Sequence, residues 1–143
     1  MDKQLKLDMG ANNFKVWNIE NLKNRDLLDI YVDKIIFDSS LIVKLISNKF
    51  KIKLNFKRFI SYRITSESYL LDYWEILNEK EQNGNVFYLI ENSSFFNDIQ
   101  NLSKDFFVIG GADLIYHFAV FSNDYCIEII SDLYPEIEIV DNE

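Results

Sequence analysis

The sequence predicts an α+β fold: a mainly antiparallel sheet of about five to seven strands with two main helices packed on it. Three observations carry this expectation. Residues 50–56 alternate strictly, with Phe50, Ile52, Leu54 and Phe56 on one side and Lys51, Lys53 and Asn55 on the other. Two stretches switch to helical spacing, most clearly Leu70, Tyr73, Trp74 and Leu77. Several strand stretches are joined by short polar turns, Ser47-Asn48-Lys49 and Ser122-Asn123-Asp124 among them, which suit antiparallel neighbours rather than crossovers.

Taken in chain order, residues 1–13 are polar and read as a flexible N-terminal tail, leaving 14–143 as a single domain. The stretch from Val16 reads as a short helix or turn, followed by a strand near residues 30–37. Residues 41–47 are β-branched and apolar on both faces, as in a mostly buried strand. The charged alternating strand 50–56 follows, and Ile60, Tyr62 and Ile64 repeat its pattern opposite Ser61, Arg63 and Thr65. Arg58 and Phe59 break the alternation between the two, which predicts a bulge or bend. A helix is predicted over 66–82, capped by Thr65 or Ser66, with Glu67 in its first turn and Asn83-Gly84 as its stop. Residues 86–90 read as a strand. Ser93 or Ser94 caps a second helix that places Phe95, Ile99 and Leu102 on one face. Residues 106–109 suggest a strand fragment ending at Gly110-Gly111. A hairpin then spans 114–121 and 125–130, and Pro135 precedes an edge strand over 137–140.

The apolar fraction of 48%, with 12 Phe, 8 Tyr and 2 Trp, supplies a core and excludes global disorder. The N-terminus has no apolar signal-peptide region, and no apolar run reaches the roughly 18 residues that a membrane span requires. A lone cysteine, Cys126, forms no internal disulfide, which suits a cytoplasmic location. The formal net charge of −8 argues against nucleic acid as a partner of the whole molecule.

That charge is sorted along the chain. Residues 39–66 hold seven bases and no acid, whereas residues 105–143 hold nine acids and no Lys or Arg. The aromatics Phe50 and Phe56 lie opposite the strand lysines and cannot stack bases beside them, so the basic block is a poor single-strand binder. Arg58 and Arg63 could pair with acids of the C-terminal block within one sheet. Among those acids, Asp124, Glu128, Asp132, Glu136 and Glu138 are the candidate partner-binding residues, because a clustered acidic face attracts a basic protein. Their spacing matches no calcium loop, and no metal or other cofactor is expected. His117 is the only histidine and lacks a recognisable nucleophile or metal motif around it, which points to a structural role and to a non-enzymatic protein. Cys126 lies between Asp124 and Glu128 in an apolar strand and reads as an inert, packed thiol. A second reading stays open: a small-molecule or regulatory pocket between sheet and helices, using Arg58, Arg63 and His117.

The C-terminal pattern of Tyr116-His117-Phe118, the turn at Asn123-Asp124, Cys126-Ile127-Glu128-Ile129-Ile130 and Tyr134-Pro135-Glu136-Ile137 carries a resemblance, together with Tyr62-Arg63-Ile64-Thr65-Ser66-Glu67-Ser68 in the middle of the chain. Over roughly residues 16–140 the chain resembles small acidic immunity proteins of bacterial polymorphic or contact-dependent toxin systems. The resemblance implies a cytoplasmic, non-enzymatic protein that binds and blocks one cognate toxin. It assigns no individual contact residue. The charge pattern independently suits a basic protein partner, with neither nucleic acid nor membrane expected, and is compatible with a homodimer.

Overall fold

Nine strands and two α-helices, seen in a computed structural model, are described over residues 12–20, 22, 29–79, 85–103 and 115–141. In chain order they are β1 (Asn13–Val16), β2 (Tyr31–Asp38), β3 (Ser40–Ile46), β4 (Phe50–Phe56), β5 (Ser61–Ser66), a 3-10 turn (Glu67–Tyr69), α1 (Leu71–Glu79), β6 (Phe87–Glu91), α2 (Ser94–Ser103), β7 (Tyr116–Phe121), β8 (Tyr125–Ser131) and β9 (Glu136–Asp141). The α+β class and the antiparallel pairing agree with the sequence. The strands form two sheets rather than one: a five-stranded sheet ordered β1-β6-β7-β8-β5 and a four-stranded sheet ordered β2-β3-β4-β9.

The side-chain alternation of each strand explains the layering. Leu41, Val43 and Leu45 of β3 and Ile52, Leu54 and Phe56 of β4 are buried against Phe87, Phe118, Val120, Ile127 and Ile129 of the five-stranded sheet. Their alternate residues, among them Lys44, Lys51 and Lys53, form the outer face of the small sheet. The five-stranded sheet is apolar on both faces, since its second face carries Phe14, Tyr88, Ala119, Phe121 and Cys126 against Leu70, Tyr73 and Leu77 of the helical segment. The layers therefore run helices, large sheet, small sheet. Each buried Leu, Ile or Phe in them contributes about 1.5–3 kcal/mol relative to exposure.

The break in alternation at Arg58 and Phe59 is a corner, not a bulge within one strand. Residues 57–60 lead the chain from β4 in the small sheet to β5 in the large one. The corner is fixed by Ile60 N–H donating to Ile130 O at 2.7 Å and by Ser131 Oγ donating to Arg58 O at 2.6 Å. The only register shift along β2 falls between Val32 and Lys34.

Three local expectations change. The predicted helix 66–82 begins only at Leu71, because Leu70 leaves helical geometry (φ −112°, ψ 40°) after a 3-10 turn, and Ser66 makes no side-chain cap bond. In α2 only the start faces the sheet: Phe95 is buried, Ile99 half-buried and Leu102 exposed. Asn12 and Asn13, assigned to a tail, are ordered. Asn12 is buried, its Oδ1 accepting the Ser94 N–H at 2.9 Å, and Asn13 starts β1. The remainder of that tail, the stop at Asn83-Gly84, the fragment 106–109 and Gly110-Gly111 lie outside the described residues.

Candidate functional site

The sequence places one carboxylate, Glu128, in the middle of the apolar strand β8, on the face shared with Cys126. Sheet register then brings a base to it. Arg63 of β5 lies directly opposite Glu128, and His117 of β7 lies on the same face one diagonal step away, opposite Ile130. The helical layer closes over this face. Tyr73 comes from the apolar stripe of α1, and Ser93 stands at the β6–α2 turn, where Asn92 adopts φ 52°, a left-handed conformation that asparagine tolerates better than most residues.

Glu128 is fully buried and accepts four hydrogen bonds. Arg63 donates from Nε to Oε2 at 2.7 Å and from Nη2 to Oε1 at 3.2 Å, while Tyr73 Oη donates to Oε1 at 2.6 Å. His117 Nε2 lies 2.8 Å from the same Oε1, and its Nδ1 lies 2.6 Å from Ser93 Oγ. Ser93 Oγ also accepts the Phe96 N–H at 2.9 Å and so caps α2. A carboxylate only accepts, so an Nε2–H imidazole with a Ser93 hydroxyl proton directed at Nδ1 satisfies every partner. The Arg63 guanidinium lies over the Phe95 ring, 4.1 Å from its centroid, and Phe95 meets His117 edge to face.

Burial by itself would raise the Glu128 carboxyl, yet the bonds from His117 and Arg63 outweigh it and hold the group down at about 2. Burial would likewise lower the Arg63 guanidinium, but the Glu128 hydrogen bond and charge raise it. Burial, and then the Glu128 charge, push the Tyr73 hydroxyl far up. Burial also raises the Cys126 thiol, which fits an inert, packed cysteine.

Two clefts border this centre. One, of about 650 Å³, is reached by Arg63 and Tyr73 and is walled by Tyr69, Leu71 and Ser94. The other, of about 550 Å³, is reached by His117 and Ser93 and is walled by Phe96 and Tyr116. The sequence Ser93, His117, Glu128 has the hydroxyl–imidazole–carboxylate order of an acyl-transfer relay. Its surroundings do not suit that chemistry. Ser93 is buried and already serves as a cap, the adjacent Ser94 N–H is taken by Asn12, and the Glu128 charge is shared with Arg63 and Tyr73. The arrangement acts as a buried polar staple joining β5, β7, β8, α1 and α2. Among the described residues no three His, Cys, Asp or Glu side chains gather for a metal ion.

The other candidate residues are distributed. Arg58 lies apart from Arg63 and His117 and pairs with Asp132, so the three residues of the suggested pocket do not share one cleft. Glu128 cannot touch a partner from its buried position, which corrects its place among the partner-binding acids. Asp124 sits in the β7–β8 turn and accepts the Ser122 hydroxyl at 3.1 Å. Glu136 and Glu138 stand on β9, beside the basic strand β4, where Glu136 meets Lys57 at 3.1 Å and Glu138 meets Lys53 at 4.0 Å. The two charge blocks thus pair with each other within the fold. Tyr73 and Ser93 were legible only as a core stripe and a helix cap. The signal for the centre was a carboxylate in a strand that is otherwise apolar on both faces.

Comparison with family models, with curated proteins and with solved structures finds no match.

Proposed function

We propose that this chain is a non-enzymatic protein-binding domain acting in the cytoplasm, and that it neutralises a basic protein partner, a cognate bacterial toxin in the reading its immunity-type resemblance implies. The observation that carries the reading is β9. It is an edge strand of the small sheet, nearly all of its residues are exposed, and it bears Glu136, Glu138 and Asp141 with no base. An open edge offers backbone groups to a partner strand, and its carboxylates select a basic one. The pairs with Lys53 and Lys57 leave both glutamates well exposed, and such surface pairs are worth only about 0–1 kcal/mol, so a partner's arginine can displace them. On the opposite layer, helix α1 carries exposed Asp72, Glu75 and Glu79, again with no base among its residues, which adds to the net negative charge and not to the β9 edge itself.

The experiment is a pull-down and kinetic analysis against the product of the neighbouring gene, comparing the native chain with E136K/E138K. The charge reversal slows association about tenfold or more at low salt and flattens its salt dependence. A neighbour that neither binds nor harms cells lacking this chain, or binding indifferent to the reversal, refutes the proposal. No helix among the described residues is long and apolar enough to cross a membrane.

A further inference from the structure

From the second edge of the small sheet, where β2 has no further strand beside it among the described residues, we infer that the chain self-associates through β2, pairing antiparallel with β2 of a second copy about a two-fold axis at Ile36. β2 ends the sheet on the side away from β9 and is mostly exposed. Its register with β3 fixes which way each residue faces. Lys34, Ile36 and Asp38 oppose Lys44, Ile42 and Ser40 and lie on the outer face, whereas Ile35 and Phe37 oppose Val43 and Leu41 on the core side.

An antiparallel pair centred on Ile36 places Lys34 of each copy opposite Asp38 of the other, on the same outer face. It also sets Ile35 of each copy opposite Phe37 of the other on the core side. All five paired positions then match in chemistry and in face, which a two-fold interface requires. The match answers two unfavourable features of the single chain. Phe37 is 65% exposed, held only along one side by an edge-to-face contact with Phe59. Lys34 lies directly opposite Lys44, which lies opposite Lys53, a row of like charges that a partner's Asp38 would offset. Neither Lys34 nor Asp38 has an ion-pair partner among the described residues.

The other edges do not offer this symmetry. Self-pairing of β9 would bring Glu136, Glu138 and Asp141 of the two copies together with no base between them. The one charged residue of β5, Arg63, is engaged by Glu128, and that of the four-residue β1, Lys15, pairs with Glu91 at 2.8 Å. The β2 contact is short, so the dimer is a weak one, below the roughly 1,200 Å² that stable complexes bury. It leaves β9 free and stands independently of the role proposed for that edge.

The test is sedimentation velocity of the whole chain from micromolar to millimolar concentration at low salt, with K34D, D38K and the double swap K34D/D38K. The native chain dimerises, each single swap weakens the dimer about tenfold or more, and the double swap restores it to within about threefold. Both substituted positions are exposed, and circular dichroism verifies that each variant folds. Ile36→Cys reports the register directly. Paired Cα atoms across an antiparallel ladder are about 4.5–5.5 Å apart, within disulfide reach, so I36C cross-links to itself under mild oxidation while I42C, one strand further in, does not. A chain that stays monomeric at millimolar concentration, a double swap no better than the singles, or equal cross-linking of I36C and I42C overturns the inference.

Discussion

Replacing Glu128 by Gln tests whether the buried centre holds the fold through its charge. The amide keeps the shape but offers one acceptor oxygen in place of two. With that oxygen at the Oε1 position the bonds from Tyr73, His117 and Arg63 Nη2 survive, and the new NH₂ faces the Arg63 Nε–H, donor against donor. The loss of a charged acceptor costs about 2–3 kcal/mol at pH 7. The pH dependence makes the test specific. The Glu128 pKa is depressed from its ordinary 4.5 to about 2 in the folded chain, so its contribution is fully present above pH 4.5 and is lost as pH falls towards 2. The full shift corresponds to about 3 kcal/mol, of which about 1.4 kcal/mol is gone by pH 3.5. Urea unfolding of native and E128Q chains, repeated from pH 7 to pH 3.5, measures this directly. The stability gap between them narrows by about 1.4 kcal/mol over that range. A gap that stays constant across the range would show that the Glu128 charge contributes nothing to the folded state, and the account of the centre would fail.

Three further outcomes follow from the same geometry. Ser93→Ala removes the α2 cap and leaves His117 Nδ1 without its partner; it lowers stability by about 2–3 kcal/mol in urea, and neither it nor the native chain is labelled by a serine-directed fluorophosphonate. Phe118→Ala empties the space between the sheets, where Phe118 is fully buried and meets Trp17, Phe56 and Tyr134 at ring separations of 5.0, 5.3 and 5.3 Å; the urea midpoint falls by an equivalent of about 3–5 kcal/mol with an unchanged slope. Cys126, buried with its thiol pushed well up, reacts with a disulfide reagent only as the chain opens, so its labelling accelerates with urea in step with unfolding; fast labelling of the folded chain would contradict the packing.

The sites were legible unevenly. Period-two alternation located β4 and β5, the Ser122-Asn123-Asp124 turn between two apolar runs located β7 and β8, Pro135 announced β9, and the Leu70, Tyr73, Leu77 spacing located α1, because each signal is written within a few successive residues. β1 went unread, since four residues are too few to show a period and its hold comes from pairing with β6, far along the chain. The helix start slipped because an available cap residue does not oblige the backbone to use it: Ser66 leads into a 3-10 turn. For the candidate site, the sequence grouped Arg63 and His117 with Arg58 in one pocket and offered Arg63 as a partner for the C-terminal acids, but set Glu128 among the partner-binding acids. The meeting of Arg63, His117 and Glu128 depends on β5 and β7 both pairing with β8, contacts that join residues 65 and 11 positions apart.

By itself, the sequence determined the elements, the faces of most strands and the sorting of charge into a basic and an acidic block. Those properties are local, set by residue chemistry and by the periods of helix and strand. The tertiary structure alone decided that the strands divide into two sheets at the corner 57–60, that the acids of β9 pair with Lys53 of β4 and Lys57 of the corner, and that Glu128 is a buried structural charge while Glu136 and Glu138 remain on an edge strand. The reason is that a carboxylate's role depends on whether water is replaced by fixed donors around it. Those donors come from three elements, β5, α1 and β7, that only the completed fold brings together.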